Sequence, residues 1–219
     1  MNRKTIKNTH HHTPVNPLII ASVVFGLLVF PAYLLADKSG NATNNPVVRL
    51  QTTAGNIDIE LYPAKSPLTV KNFLAYVDNG FYKGTIFHRV IKGFMIQGGG
   101  FTSGIKNKKE DLKANIKNEA DNGLKNKTGT IAMARLPQPH TASSQFFINT
   151  NDNLNLDHTG KTATGWGYAV FGKVIKGMDV VGKIENAATA TIGYYLNVPK
   201  TEVIITKAWV LNKDKMKKK

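Results

Sequence analysis

From Val47 onward the apolar positions come in short runs with a period of two, separated by clusters of Gly, Asn, Pro and Lys. Alternation of that kind marks strands with one buried face. The runs 47–53 and 57–61 flank Ala54-Gly55-Asn56 and predict a β-hairpin. Further strands are expected at 85–91, 94–97, 129–134, 145–149, 168–173 and 202–211. The period changes to that of a helix after Ser66, where Val70, Phe73, Leu74 and Val77 share one face. Ser66 stands at the N-cap, Pro67 at the first helical position and Gly80 at the end. A second, shorter helix is expected at 178–185, with Gly182 as its weak point. About eight strands with two helices point to a mainly β protein, a small closed barrel with its mouths covered. The stretch 101–126 has little periodicity and reads as surface loop, of a length that loops rarely reach without a function. Gly98-Gly99-Gly100 reads as a tight turn.

The first 45 residues follow another pattern. A basic arm (1–17) carries Arg3, Lys4 and Lys7 without an acid, and an unbroken apolar run follows at 18–36. A basic flank before an apolar run is the design of a signal peptide or of a membrane anchor. The run is longer than the signal-peptide core of about 7–15 residues and close to the roughly 20 that span a bilayer. Cleavage after Ala36 would place bulky Leu34 where a small residue is wanted, while Gly40-Asn41-Ala42 satisfies the small-x-small rule slightly too far downstream, so both readings stand, and both place the folded part outside the cytoplasm. Residues 37–46, rich in Asn and Pro, form a linker, and 213–219 form a basic tail.

Composition narrows the chemistry. The 219 residues include no cysteine, which removes disulfides, thiol nucleophiles and thiolate metal sites. The formal net charge is +15, but the basic arm, the terminal lysines and the lysines of 106–127 account for much of it. Scattered lysines outside the cytoplasm do not make a nucleic-acid interface, which needs a clustered cationic face with aromatics. No G-x-S-x-G nucleophile elbow is present. His88, His140 and His158 are too dispersed for a metal site, and the glycines at 98–100 lack the Lys-Ser/Thr of a phosphate loop. Nothing points to a metal or an organic cofactor.

Two segments carry unusual residues for strands. In 85–91, Arg89 is expected to point with Phe87 and Ile91, away from His88 and Val90. A guanidinium among apolar residues is costly unless it has partners or a task. Met95 and Gln97 share a face of the next strand. In 145–149, Gln145, Phe147 and Asn149 face one way and Phe146 and Ile148 the other, so Phe146 fills the core while Phe147 is grouped with amides.

The segments FHRVIKGFMIQGG (87–99), NEADNGLKNKTGTIAMAR (118–135), SQFFIN (144–149) and GYAVFGKVIKGMDVV (167–181) resemble the cyclophilin family of peptidyl-prolyl cis-trans isomerases, and within it the Gram-negative periplasmic branch. The resemblance implies a closed eight-stranded antiparallel β-barrel capped by two α-helices over 47–212, preceded here by an N-terminal apolar helix. It implies catalysis by Arg89 with Gln97, and substrate contacts from Phe94, Met95, Ala134, Arg135, Gln145, Phe147, Leu156 and Tyr168. The implied substrates are proline-containing unfolded or partly folded polypeptides of the periplasm. The implied state is a monomer without cofactor, free or attached to the inner membrane through 18–36. A proline-binding module or holdase with incidental catalysis is the alternative. Asn155 occupies the position of a tryptophan found in many eukaryotic members, which argues against tight cyclosporin binding.

Overall fold

The computed structural model describes residues 45–213. The basic arm, the apolar segment 18–36 with its expected helix, most of the linker and residues 214–219 lie outside the described residues. Among the described residues there are eleven strands and two α-helices: β1 (Val47–Thr52), β2 (Gly55–Leu61), α1 (Pro67–Asp78), β3 (Thr85–Ile91), β4 (Met95–Thr102), β5 (Lys106–Asn107), β6 (Thr130–Met133), β7 (Phe146–Asn149), β8 (Val170–Lys176), α2 (Met178–Glu185), β9 (Thr189–Ile192), β10 (Tyr195–Pro199) and β11 (Ile205–Val210).

Eight of the strands form one antiparallel path, β11-β1-β2-β8-β6-β7-β4-β3, to which β5 adds beside β4. The two ends of the path meet before β11 begins: Ile86 bridges Ile204, Gly84 N–H donates to Ile205 O at 2.8 Å and Phe87 N–H to Val203 O at 3.0 Å. The sheet is therefore a nearly closed barrel, as the strand count predicts.

Its interior is apolar and rich in aromatic rings. Val48, Leu50, Ile57, Ile59 and Leu61 alternate inward on the first hairpin and meet Ile96, Ile131, Phe146, Ile148 and Phe171. Helix α1 closes one mouth by inserting Phe73, whose ring lies 5.2 Å from Tyr82, 5.6 Å from Phe146 and 5.1 Å from Phe171. Helix α2 packs Val180, Val181 and Ile184 into the same core. Gly55 allows that approach, because a Cβ there would stand 2.7 Å from the Val180 side chain.

Three expectations are corrected, and one element was not expected. Ser66 does occupy the N-cap of α1 but makes no cap hydrogen bond; its hydroxyl donates to Val170 O at 2.8 Å. The cap comes from Glu119, whose carboxylate accepts from Leu68 N–H at 3.1 Å and Thr69 N–H at 2.8 Å, a partner 50 residues away that local pattern cannot reveal. Gly98-Gly99-Gly100 is not a turn but the middle of β4, and the absent side chains let neighbouring rings and Gln145 close over it. The 101–126 stretch is not bare loop: it holds β5, a short 3₁₀ turn at Ala120–Asn122 and the bridge Ile116–Ala142. The hairpin β9–β10, unforeseen because its tip carries Ile192, Tyr194, Tyr195 and Leu196 largely exposed, stands outside the barrel path.

Candidate active site

The strand faces that point away from the barrel interior carry a second, smaller apolar cluster: Met95 from β4, Ala132 from β6, Phe147 from β7 and Val170 from β8. Phe94, Leu156, Tyr168, Ala134 and Ile91 pack around it, partly exposed. The adjacent phenylalanines of β7 thus serve two cores, Phe146 inside the barrel and Phe147 outside it, as the period-two reading requires.

Above this cluster lies a cavity of ≈ 200 Å³ lined by Arg89, Phe94, Met95, Gln97, Ala134, Arg135, Phe147, Leu156 and Tyr168. Nine of the ten residues named from sequence meet there. The tenth, Gln145, stands beside it and accepts from Gln97 Nε2 at 3.0 Å through its Oε1. Gln97 in turn accepts from Arg89 Nη1 at 3.3 Å. Among the described residues Arg89 has no carboxylate partner within 4.0 Å, so its guanidinium keeps donors to offer. A second cavity of ≈ 360 Å³ adjoins the first, shares Gln97, Ala134 and Arg135 with it, and is otherwise largely polar, with Asn107, Lys108, Ser143, Ser144 and Gln145 on its walls.

The expected grouping of Arg89 with Phe87 is corrected. In β3 against β4, Phe87 pairs Gly98 and Arg89 pairs Gln97, so two steps on one strand match one on the other. This bulge at His88 breaks the alternation. Phe87 turns into the barrel, 6.1 Å from Phe146, while Arg89 turns outward onto the cavity.

His88, left on the bulge, is buried with its ring 4.5 Å from that of Phe101 and its Nδ1 without a partner. Burial pushes its pKa down to about 4, against the opposing influence of the nearby Ile86 backbone and with help from the charge of Arg89. An imidazole of ordinary pKa, about 6.5, takes up a proton in the unfolded chain before the folded one does. The folded state therefore keeps this contribution above that pH and loses stability as the pH falls from about 6.5 toward 4, by about 3 kcal/mol at most. Melting temperatures measured across that range should fall for the parent and fall less for His88→Phe. Parallel slopes in the two proteins would exclude His88 as the cause.

Gln145 reaches its place only because β4 has no side chain at Gly100: a Cβ there would stand 2.5 Å from the Gln145 side chain. Gly100 has no positive φ, so alanine brings no backbone strain. Gly100→Ala should displace Gln145, cut its bond to Gln97 and reduce kcat/KM about 10-fold, the worth of one hydrogen bond, with little change in melting temperature. Unaltered kinetics would show that the amide relay is dispensable.

Arg135 is less a free cation than its sequence position suggests. Its Nε donates to Gly167 O at 2.9 Å, its Nη1 to Leu136 O and Pro137 O at 2.9 Å, and its guanidinium lies 4.6 Å from the Tyr168 ring centroid. The buried amides beneath the groove, Asn126, Asn149 and Asn153, carry no role in the sequence reading. Only the grouping of Asn149 with Phe147 hints at them.

Fold and site together define a barrel protein with an apolar groove, the guanidinium groups of Arg89 and Arg135 at its edge and the amides of Gln97 and Gln145 beside Arg89. Comparison with known proteins is more specific. Residues 47–210 match the model of the cyclophilin-type peptidyl-prolyl cis-trans isomerase family. A peptidyl-prolyl cis-trans isomerase of Acinetobacter baylyi is 54% identical over 186 residues, covering 85% of this chain and 92% of that protein. Peptidyl-prolyl cis-trans isomerase B of Escherichia coli is 55% identical over 159 residues, covering 73% and 96%. A cyclophilin of Cryptosporidium parvum, solved in the presence of the dipeptide Ala-Pro, superposes with a TM-score of 0.61 at 31% identity over 75% of this chain and 98% of that one. The chain belongs to the cyclophilin-type peptidyl-prolyl cis-trans isomerases.

Proposed function

We propose that the groove is the proline site and that Arg89 is the catalytic donor in an isomerase serving exported proteins. The observation that carries this reading is the meeting, on one outward face, of a guanidinium free of carboxylates with the apolar walls Phe94, Met95, Phe147 and Leu156. Resonance in the bond preceding proline sets a barrier of about 18–20 kcal/mol. Nothing covalent breaks in crossing it. In the twisted amide the prolyl nitrogen lone pair is localised, so a donor aimed at that nitrogen binds the transition state better than the ground state. A planar, permanently charged guanidinium suits the task. Gln97, itself held by Gln145, steadies the guanidinium or meets the substrate carbonyl. The apolar walls grip the pyrrolidine ring while the acyl side turns, and they disfavour the charge-separated resonance form that makes the bond stiff. The polar second cavity gives room to residues flanking the proline.

That the Cryptosporidium structure was solved in the presence of Ala-Pro supports proline-containing peptides as the substrate class. Exchange spectroscopy on an Ala-Xaa-Pro-Phe peptide tests the assignment: cis-trans exchange should accelerate, and peptide-induced shifts should centre on Met95, Phe147 and Leu156. Acceleration with shifts elsewhere would refute the groove, and binding without acceleration would favour a recognition module. The basic arm and the apolar run 18–36 support export to the periplasm. The intact mass of the protein taken from the envelope of its host would show whether the segment is kept as an anchor or removed as a signal. Recovery from the cytoplasm would refute export.

A further inference from the structure

Directly under the groove lies a set of amide side chains that never reach it. Asn126 and Asn149 are fully buried, and Asn153 and Asp157 nearly so. Asn149, at the end of β7, is the hub. Its Nδ2 donates to Asn126 Oδ1 at 3.2 Å and to Thr130 Oγ1 at 2.9 Å, and its Oδ1 accepts from Asn153 Nδ2 at 2.7 Å. Two arms leave the hub. Asn153 Nδ2 also donates to Phe94 O at 2.7 Å. Asn126 Nδ2 lies 3.2 Å from Leu156 O, 3.3 Å from Tyr168 O and 3.1 Å from Asp157 Oδ1, three acceptors sharing one amide. Asn153 N–H closes the loop onto Asn126 O at 2.7 Å.

Burying several amides is costly unless every group is paired, and an apolar side chain at 149 would fill the same space without that demand. The carbonyls at the ends of the two arms show what the arrangement secures. They belong to Phe94, Leu156 and Tyr168, three walls of the groove, none of which lies within a strand. Phe94 follows β3, Leu156 sits in a 3₁₀ turn and Tyr168 precedes β8. Two main-chain bonds help, Tyr168 N–H to Leu156 O at 2.9 Å and Thr150 N–H to Phe94 O at 3.0 Å. Neither ties the Phe94 side of the groove to the Leu156 and Tyr168 side. The asparagines do, through Asn149 and through Asn153 itself, whose side chain holds Phe94 O while its main-chain N–H donates to Asn126 O at 2.7 Å and its carbonyl accepts from Leu156 N–H at 2.9 Å.

We propose that Asn126, Asn149 and Asn153 are positioning residues that act as a width gauge for the groove: they touch no substrate, but by tying its opposite walls together they fit it to a five-membered ring and against a larger one. The inference rests on the reading of the groove as the proline site. A single methylene in an apolar pocket is worth about 10–200-fold, and walls released from one another would part for the larger ring and forfeit that discrimination.

The test compares full-length parent, Asn153→Ala and Asn126→Ala on two peptides identical except for proline or its six-membered homologue, pipecolic acid. Asn153→Ala releases Phe94 and leaves Asn149 Oδ1 without its donor; Asn126→Ala releases the opposite walls. Each variant should raise KM for the prolyl peptide several-fold with kcat nearly unchanged, and should shrink the prolyl over pipecolyl preference in kcat/KM about 10-fold. That preference does not depend on how much enzyme is folded, so lost stability cannot imitate the effect. A preference equal to the parent's in both variants would overturn the gauge. Phe147→Ala keeps the two readings apart: unchanged prolyl KM in that variant would refute the proline assignment of the groove itself.

Discussion

Arg89→Ala should lower kcat/KM on Xaa-Pro peptides by about 100- to 1000-fold, the usual consequence of removing one aimed donor from a developing charge, while leaving the fold intact. The fold is expected to survive because Arg89 is only half-buried and its one side-chain hydrogen bond within the described structure goes to Gln97 at 3.3 Å, in a site without carboxylates to be left unpaired. Arg89→Lys is the more telling variant. It keeps the charge but replaces a planar fork by a mobile point donor, so it should recover less than a tenth of the lost activity. Peptide exchange kinetics with thermal melting decide the matter. A lysine variant near parental activity would reduce the role of Arg89 to local charge, and an alanine variant with normal kcat would remove it from the mechanism.

The second large effect divides two neighbours. Phe146→Ala should cost about 3–5 kcal/mol by opening a cavity in the barrel, which for a domain of this size is a melting temperature lower by roughly 10 °C. Its ring is fully buried, with edge contacts to Phe73 at 5.6 Å and to Tyr82 at 5.5 Å. In the protein that stays folded, kcat/KM should be close to parental. Phe147→Ala should do the reverse. It removes a wall of the groove, raising KM for prolyl peptides about 10-fold or more, at a smaller cost in stability, because its cluster is the lesser one and opens onto the cavity. Urea unfolding and steady-state kinetics on the pair would expose an error in either direction: equal stability losses would mean that the two clusters are one core.

The alternation of β7 makes that division legible in the sequence, because a strand turns successive side chains to opposite faces and two phenylalanines in a row must serve two environments. The same rule fails for Phe87 and Arg89. It assumes an unbroken ladder, and the bulge at His88 is created by pairing with β4. Helix α1 shows the parallel case: its periodicity, Pro67 and Gly80 are visible locally, yet its cap is supplied by Glu119 across the fold. Gly98 to Gly100 mislead for a related reason. Glycine signals missing bulk, and whether that serves a turn or the close approach of Gln145 depends on what packs there.

What the sequence determined by itself was therefore whatever depends on near neighbours along the chain. The strands, the helices, the face of each residue on a regular strand and the motifs of the family all rest on spacings of a few residues. Tertiary structure alone decided the barrel closure, the bulge that turns Arg89 onto the groove, and the joining of Asn126, Asn149 and Asn153 beneath it. Each of those is a hydrogen-bonding choice between segments far apart in the chain. A polar group signals that it needs a partner, but only the folded chain decides which partner is within reach.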